Sequence, residues 1–194
     1  MSKAVMLSIR PKWVEKIASG EKTIEVRKTR PKLDTPFKCY IYCTLQGCNE
    51  FFRVDLGGDV AKWNRGKWAD RKGNVIGEFT CDRIYKIDKD STDFLFKAGG
   101  LSVYKQAAEE KCGLCVAMTD DELHGYLGHY QGYGWHISDL LIYDQPRELS
   151  EFQRATDPCV FCMERIAREC TDCKKWGGDI KRPPQSWCYV EAME

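Results

Sequence analysis

The sequence has no long apolar run and almost no net charge. None of its segments approaches the roughly 18 to 20 apolar residues that a helix needs to cross a bilayer, and no apolar stretch near the N-terminus has the form of a secretion signal. The 30 lysines and arginines balance 29 aspartates and glutamates, which leaves a net charge of +1. We therefore expect a cytoplasmic protein in which any basic surface arises from local clustering rather than an overall excess of cations.

Histidine is scarce, whereas cysteine is abundant. The three histidines, His124, His129 and His136, do not have the compact spacing of metal ligands, so each is favoured as a packing or surface residue, with His136, at the start of a predicted strand beside Trp135, as the exception. The chain has eleven cysteines, and without a secretion signal these favour reduced thiols or metal ligands over disulfides. Cys39, Cys43, Cys48 and Cys81 lie in apolar, strand-like stretches and are expected to act as small buried hydrophobic residues.

The order of predicted elements indicates an α+β fold in a single domain, residues 1–194. Strands are predicted over residues 1–9, 23–28, 37–44, 75–87, 134–143 and 186–190, with Pro146 stopping the fifth. Helices are predicted over residues 11–19 and within 93–127, where Thr119 is an N-cap. Gly20 suits a left-handed helix end, and Gly77 indicates a bulge or a close backbone approach. Strands open and close the chain, so the core is mainly β-sheet.

A charged segment follows the first predicted helix. It reads Gly20-Glu21-Lys22-Thr23-Ile24-Glu25-Val26-Arg27. Strand alternation places Ile24 and Val26 on one face and Thr23, Glu25 and Arg27 on the other, with Lys22 at the turn within reach of the same face. Composition alone favours a solvated surface pair for Glu25 and Arg27.

The pattern G-x-K-x-x-E-x-R in this segment resembles the signature of the ASCH domain family, a branch of the PUA-like β-barrels. Its four fixed positions are Gly20, Lys22, Glu25 and Arg27, and the flanking residues 8–13 and 183–190 are also similar to bacterial and phage ASCH proteins. The resemblance implies a small mixed PUA-like β-barrel with inserted helices. It also implies a ligand cleft beside the motif, to which Trp135 and His136 would contribute.

The resemblance implies binding of RNA or of a modified nucleobase. Lys22 and Arg27 would hold a phosphate or a base oxygen, while Glu25, beside Thr23, would accept hydrogen bonds from a base edge or orient Arg27. Some small ASCH proteins hydrolyse N4-acetylcytidine with a threonine nucleophile. In this chain Glu25 occupies the position of that threonine, so the covalent mechanism does not carry over. The alternative is therefore a hydrolase of N4-acylated cytidine-type nucleosides, or a ribonuclease, in which Lys22, Glu25 and Arg27 are catalytic and Glu25 is a general base on water.

Two tryptophans, Trp63 and Trp68, are interleaved with five cations in a predicted loop over residues 62–72. Indole rings that stack on bases beside cations that hold phosphates are typical of single-strand binding. The same residues would also be explained by tryptophans that cover a barrel end with lysines extending past them. The sequence leaves both interpretations open.

Four cysteines near the C-terminus form a C-x2-C-x7-C-x2-C array, Cys159, Cys162, Cys170 and Cys173. Two such pairs supply a tetrahedral four-sulfur shell that suits structural zinc, although an iron–sulfur cluster or free thiols would also use them. Because a closed four-cysteine site has no open coordination position, the predicted zinc is structural. It would staple a cysteine-rich insertion, residues 157–182, before the last strand.

Metal analysis of the purified protein tests the zinc prediction. We expect about one zinc per chain, and loss of most of it when Cys162→Ser and Cys173→Ser are combined, because two of the four thiolate ligands are removed. Cys48→Ser, outside the array, is the control and should retain the metal. Unchanged zinc content in the double variant, measured by inductively coupled plasma mass spectrometry, would rule out the assignment.

Overall fold

Strands predominate in the part of the chain that the structure describes. The structure is a computed structural model, and it describes residues 2–45, 73–87, 116–128, 132–155 and 178–193. The strands within these ranges are β1 (Lys3–Ile9), β2 (Ile24–Arg27), β3 (Phe37–Cys43), β4 (Val75–Cys81), β5 (Ile84–Ile87), β6 (Gly132–His136), β7 (Ser138–Arg147), β8 (Gln153–Arg154), β9 (Gly178–Asp179) and β10 (Trp187–Glu191). The helices are α1 (Pro11–Ala18) and α2 (Asp120–Leu127), with a short 3-10 turn at Leu149–Glu151.

The chain forms two compact units. The first unit comprises Met1–Lys12, Lys38–Glu78 and Leu141–Glu194, and the second comprises Trp13–Phe37 and Phe79–Leu140. The described strands form a seven-stranded sheet, in the order β7-β4-β3-β1-β10-β8-β9, and a three-stranded sheet, in the order β2-β6-β5. No helix among the described residues has the length and apolar character needed to cross a membrane.

The first unit is built around β1, whose side chains are almost all buried. This strand pairs in parallel with β3 and antiparallel with β10. An apolar cluster packs on one side, and it includes Tyr40, whose ring meets that of Phe152 edge-on with 4.9 Å between centroids. Cys39, Cys43 and Cys81 are buried, as predicted for small apolar residues. Burial raises the pKa of the Cys81 thiol to about 12, so this thiol stays protonated at neutral pH.

The second unit packs α2 against the three-stranded sheet. Ile24 and Val26 of β2 and Ile87 of β5 join Leu123 and Leu127 of α2 in one buried cluster. Leucines four apart lie on the same face of a helix, so α2 presents both to the sheet. Thr119 caps α2 as predicted. Its hydroxyl accepts a hydrogen bond from the backbone N–H of Glu122, and the Glu122 carboxylate accepts one from the backbone N–H of Thr119.

Several sequence predictions are confirmed with small changes of boundary. Helix α1 begins at Pro11 and buries Val14 and Ile17, and Gly20 beyond it has a φ of +77°, the left-handed conformation that was predicted. The predicted strands near residues 1–9, 23–28, 37–44 and 186–190 correspond to β1, β2, β3 and β10. The predicted helical stretch 93–127 contains α2, and its residues 93–115 lie outside the described ranges.

Two predicted long strands were wrong, because each is divided between two sheets. Residues 75–87 form β4 of the seven-stranded sheet and β5 of the three-stranded sheet, interrupted at Asp82 and Arg83. Residues 134–143 divide in the same way between β6 and β7, interrupted at Ile137. The backbone N–H of His136 donates to the Arg83 carbonyl at 2.9 Å, so the two interruptions are hydrogen-bonded to each other.

Pro146 does not end its strand, in contrast to the prediction. β7 continues to Arg147. In the strand order of the described residues, β7 lies at one end of its sheet. A proline can occupy such a strand because no neighbour requires its missing N–H on the outer side.

The α+β class is confirmed, but the closed barrel is not. The strands of the described residues form two separate sheets, and neither sheet order returns to its first strand. The predicted zinc loop at residues 157–182 falls mostly outside the described ranges, which include only residues 178–182 of it. Zinc binding there remains a prediction.

Gly77 of β4 marks a close backbone approach, one of the two predicted alternatives. A Cβ atom on this residue would lie 2.5 Å from the carbonyl oxygen of Leu141 and 3.2 Å from the Cα of Ile142 on β7. Real Cβ atoms do not come so close to a backbone oxygen. Only glycine lets β4 and β7 approach each other at this point.

Gly77→Ala should therefore destabilise the protein by about 1–3 kcal/mol, because the added methyl group forces two backbones apart. Gly125→Ala in α2 is the matched control, since its Cβ would meet no atom within 4 Å. We expect that change to be neutral or stabilising by up to about 1 kcal/mol, the gain in helix propensity. Urea unfolding followed by circular dichroism measures both, and equal midpoints would contradict the close approach.

Candidate functional site

The charged segment forms one face of β2, as strand alternation predicts. Ile24 and Val26 lie in the apolar cluster of the second unit, so Glu25 and Arg27 face the opposite side of the strand. β2 pairs antiparallel with β6, where Glu25 is directly opposite Trp135 and Arg27 is directly opposite Tyr133. Directly opposed residues share a face of a sheet. The motif therefore lies on the side of this sheet that faces away from α2.

Lys22 is the most deeply buried charged side chain of the site. Only 1% of its side chain is exposed. Its ammonium donates to the Val116 carbonyl at 2.6 Å, lies 3.6 Å from Oε2 of Glu25 and sits 5.3 Å from the centre of the Trp13 ring. Its backbone N–H donates to the Lys16 carbonyl at 2.8 Å, which fixes the turn after α1. Lys22 thus joins the end of α1, the start of β2 and the segment before α2.

Glu25 connects the two cations of the motif. Its Oε1 lies 3.0 Å from Nη2 of Arg27, whereas its Oε2 faces the Lys22 ammonium at 3.6 Å. Each carboxylate oxygen therefore faces a different cation. Because both cations are fixed in this way, the carboxylate has one preferred orientation.

The Lys22–Glu25–Arg27 triad is nearly excluded from water. The exposed fractions of the three residues are 2%, 6% and 5%. This burial differs from the solvated surface pair that composition alone favours. Coulombic attraction is far stronger in such surroundings than in water, and the loss of one partner costs correspondingly more.

Trp135 lies on the triad's face of the sheet and is completely buried. Its indole ring meets the ring of Phe37 edge-on, with 5.7 Å between centroids and an angle of 82° between planes. The ring is therefore packed in the interior on this side of the sheet, and neither of its faces is open for a base to stack on. Phe37 was not among the residues predicted for the site.

His136 lies on the other face of β6. It is opposite Ile24, on the side of the sheet that carries the apolar cluster, and its Nδ1 is 2.6 Å from Oδ1 of Asp82. Thr23 precedes β2, and its carbonyl accepts a hydrogen bond from the Ile137 N–H at 2.8 Å. The structure thus groups Lys22, Glu25, Arg27 and Trp135, but it does not bring His136 to their face.

Other predicted site residues lie outside the described ranges. These are Trp63, Trp68, Cys159, Cys162, Cys170 and Cys173. Among the residues that are described, no group of three or more His, Cys, Asp or Glu side chains is arranged to hold a metal ion.

Sequence reasoning missed Trp13 and Val116 as partners of the triad. Trp13 is an apolar residue of α1 that nothing in its local sequence relates to Lys22, and the contribution of Val116 is a backbone carbonyl, which carries no side-chain signal. Val116 is also 94 residues from Lys22 in sequence. Only the tertiary structure relates them.

The similarity of this chain to known proteins lies in its fold. The sequence matches no protein-family model and no curated protein. Two crystal structures are similar along almost the whole chain, a serine-to-alanine and a tyrosine-to-phenylalanine mutant of an ASCH protein from Zymomonas mobilis. The first has a TM-score of 0.51 and 15% identity, covering 97% of this chain and 88% of that chain. The second has a TM-score of 0.51 and 16% identity, covering 98% and 91%. The fold is that of an ASCH domain.

The ASCH fold agrees with the resemblance that the motif indicates. The structural similarity extends along nearly the whole chain, whereas the motif consists of Gly20, Lys22, Glu25 and Arg27. At 15% and 16% identity, the similarity establishes the fold alone.

Lys22→Met tests whether the buried ammonium holds this ASCH fold together. We expect a loss of about 3–5 kcal/mol in the free energy of unfolding, since Glu25 loses a buried ion-pair partner and the Val116 carbonyl loses its donor. Lys16→Met is the matched control. Lys16 pairs with Glu21 at 2.7 Å, but both side chains are substantially exposed, at 32% and 56%.

The control substitution should change the free energy of unfolding by no more than about 1 kcal/mol, as is usual for an exposed ion pair. Urea unfolding at neutral pH measures both variants. A Lys22→Met protein as stable as the Lys16→Met protein would show that the ammonium is not needed to hold the second unit together.

Proposed function

We propose that the Lys22–Glu25–Arg27 triad of this ASCH fold binds RNA or a modified nucleobase. The observation that carries the proposal is one carboxylate held between two cations, all nearly excluded from water, on one face of a strand. A nucleobase edge presents N–H donors next to carbonyl or ring-nitrogen acceptors. The Glu25 carboxylate can accept from the N–H donors, and the Arg27 guanidinium beside it can donate to the acceptors.

The contacts of the triad suggest different roles for its members. The Lys22 ammonium donates to a backbone carbonyl, faces Glu25 and lies over the Trp13 ring, so we assign it to positioning. Glu25 and Arg27 carry slightly more exposed side chains, 7% and 6% against 1% for Lys22. We assign them to ligand contact.

Charge favours an electron-rich ligand. Two cations and one carboxylate give the three side chains a net positive charge. A phosphate oxygen or the carbonyl oxygen of a base would meet that charge in surroundings of low dielectric, where charge-assisted hydrogen bonds are strong. RNA and modified nucleobases supply both kinds of atom.

A second function rests on the distance between Lys22 and Glu25. The Lys22 ammonium lies 3.6 Å from Oε2 of Glu25, and this carboxylate oxygen would activate a water molecule bound beside it. Glu25 would then act as general base in the hydrolysis of an N4-acylated cytidine-type nucleoside or in RNA cleavage. We rank this function second because it requires a substrate pose as well as the triad.

Binding and turnover should be measured on the same set of variants. Glu25→Gln and Arg27→Gln are each expected to weaken binding of fluorescein-labelled single-stranded RNA about ten- to a hundredfold, the worth of one charge-assisted hydrogen bond. Arg10→Gln changes the charge by the same amount as Arg27→Gln, but at an exposed position, and is the control. Fluorescence anisotropy measures binding, and urea unfolding confirms that each variant is folded.

Liquid chromatography of the same RNA and of N4-acetylcytidine completes the test. Weakened binding in both triad variants, with the wild-type protein leaving both compounds intact, supports the binding function. Wild-type cleavage of either compound that is lost in Glu25→Gln supports the hydrolytic function instead. If the wild-type protein neither binds nor cleaves, or if Arg10→Gln weakens binding as much as Arg27→Gln does, the proposed role of the triad is wrong.

A further inference from the structure

A second cluster of polar side chains lies on the first unit. Lys38 is on β3, Glu78 is on β4, and Tyr143 and Arg147 are on β7. These three strands are neighbours in the seven-stranded sheet. The side chains of Lys38 and Glu78 are 38% and 20% exposed, so the cluster is within reach of solvent. Neither the resemblance nor the proposed function uses it.

Glu78 is engaged by two donors within this cluster. Lys38 donates to its Oε1 at 2.9 Å, and the Tyr143 hydroxyl donates to its Oε2 at 2.6 Å. Burial raises the pKa of Glu78, but these two hydrogen bonds, together with the positive charges of Lys38 and Arg147, leave the pKa below its ordinary value. The pKa of Tyr143 is raised by burial and by its hydrogen bond to Glu78. The carboxylate therefore stays ionised and the hydroxyl stays protonated at neutral pH.

Arg147 has weak partners by comparison. Its guanidinium carbon lies 5.2 Å from the centre of the Tyr143 ring, and its Nη1 donates to the thioether sulfur of Met193 at 3.2 Å. A thioether is a poor acceptor for a group that carries five N–H donors. Within the described ranges, no carboxylate oxygen lies at ion-pair distance from this guanidinium. Arg147 thus holds strong donors in one place, and it feels the charge of Glu78 without forming an ion pair with a carboxylate among these residues.

We infer that Arg147, together with Lys38, forms a binding site for a phosphoryl group. The guanidinium presents a planar fork that matches two phosphate oxygens, and the ring of Tyr143 holds that fork in position. Lys38 supplies a second cation. Since Glu78 is the one carboxylate in the cluster, Lys38 and Arg147 leave it with a net positive charge.

The chemistry of the cluster favours a phosphoryl group over a carboxylate ligand. A terminal phosphoryl group has three acceptor oxygens and close to two negative charges, so it matches Arg147 and a lysine together better than a carboxylate, which has two oxygens and one charge. Met193 can yield to such a ligand, because an unbranched thioether side chain repacks easily. Its backbone is held meanwhile, since the Met193 N–H donates to the Tyr40 hydroxyl at 2.7 Å.

The phosphoryl group has two possible sources, the backbone of a nucleic acid or a free phosphate or nucleotide. Three probes distinguish them: inorganic phosphate, uridine monophosphate and a short oligouridylate. The site lies in the first unit and the triad in the second, so each can be tested without the other.

Methionine methyl resonances provide a direct readout. The chain contains five methionines, and Met193 touches Arg147, whereas Met6 is fully buried in the same unit. In protein labelled with [13C-methyl]methionine, at least one probe should shift the Met193 resonance in a saturable way and leave that of Met6 in place. Met193→Leu assigns the resonance. The probe that binds most tightly identifies the source of the phosphoryl group.

Substitutions of Arg147 test whether its guanidinium binds the probe. Arg147→Gln should weaken the binding of that probe at least about tenfold, and Arg147→Lys should weaken it less, since the charge remains but the fork is lost. Arg182→Gln, at an exposed position of the same unit, should bind as the wild type does. The inference is overturned if none of the three probes moves the Met193 resonance, or if Arg147→Gln and Arg182→Gln bind the probe equally well.

Discussion

The second unit depends on one buried ammonium, that of Lys22. Removing a lysine from water costs several kcal/mol, so its partners must offset that cost. They come from three parts of the chain: Val116 before α2, Glu25 on β2 and Trp13 on α1. The backbone of the same residue is bonded to Lys16. The contacts of Lys22 therefore connect the ends of these elements. They also place Glu25, and through it Arg27.

The two polar clusters of this protein illustrate how burial changes what charged groups can do. In the triad, each oxygen of Glu25 faces a cation and water is nearly absent, so its geometry is rigid and any ligand must meet a fixed pattern. The cluster around Glu78 is partly exposed and has a cation that is satisfied mainly by an aromatic ring and a sulfur atom. A fixed pattern suits selective recognition of a base edge, whereas an accessible cation suits a phosphoryl group that carries no sequence information.

Local sequence was sufficient where the deciding interactions are local. The alternation along β2 correctly predicted which of its side chains share a face, and Thr119 correctly predicted the start of α2. The burial of the triad could not be predicted, because it depends on a carbonyl 94 residues away. The breaks at Asp82 and Ile137 were missed because strand-forming apolar residues occur on both sides of them, whereas the change of hydrogen-bonding partners leaves no sign in the sequence. The position of His136 was missed because one residue decides which face of a strand a side chain occupies.

The pairing of Glu25 with Trp135 and of Ile24 with His136 has a consequence for how this sequence can vary. Side chains alternate between faces at every residue, so the charged face and the apolar face of β2 share one register. Inserting or deleting a single residue between Gly20 and Arg27 would move the carboxylate into the core and an isoleucine or valine into the site. A single insertion or deletion in this segment would therefore disrupt both faces at once, whereas a substitution that keeps the alternation of charged and apolar residues would not. The charged residues and the core residues of β2 must therefore be inherited together.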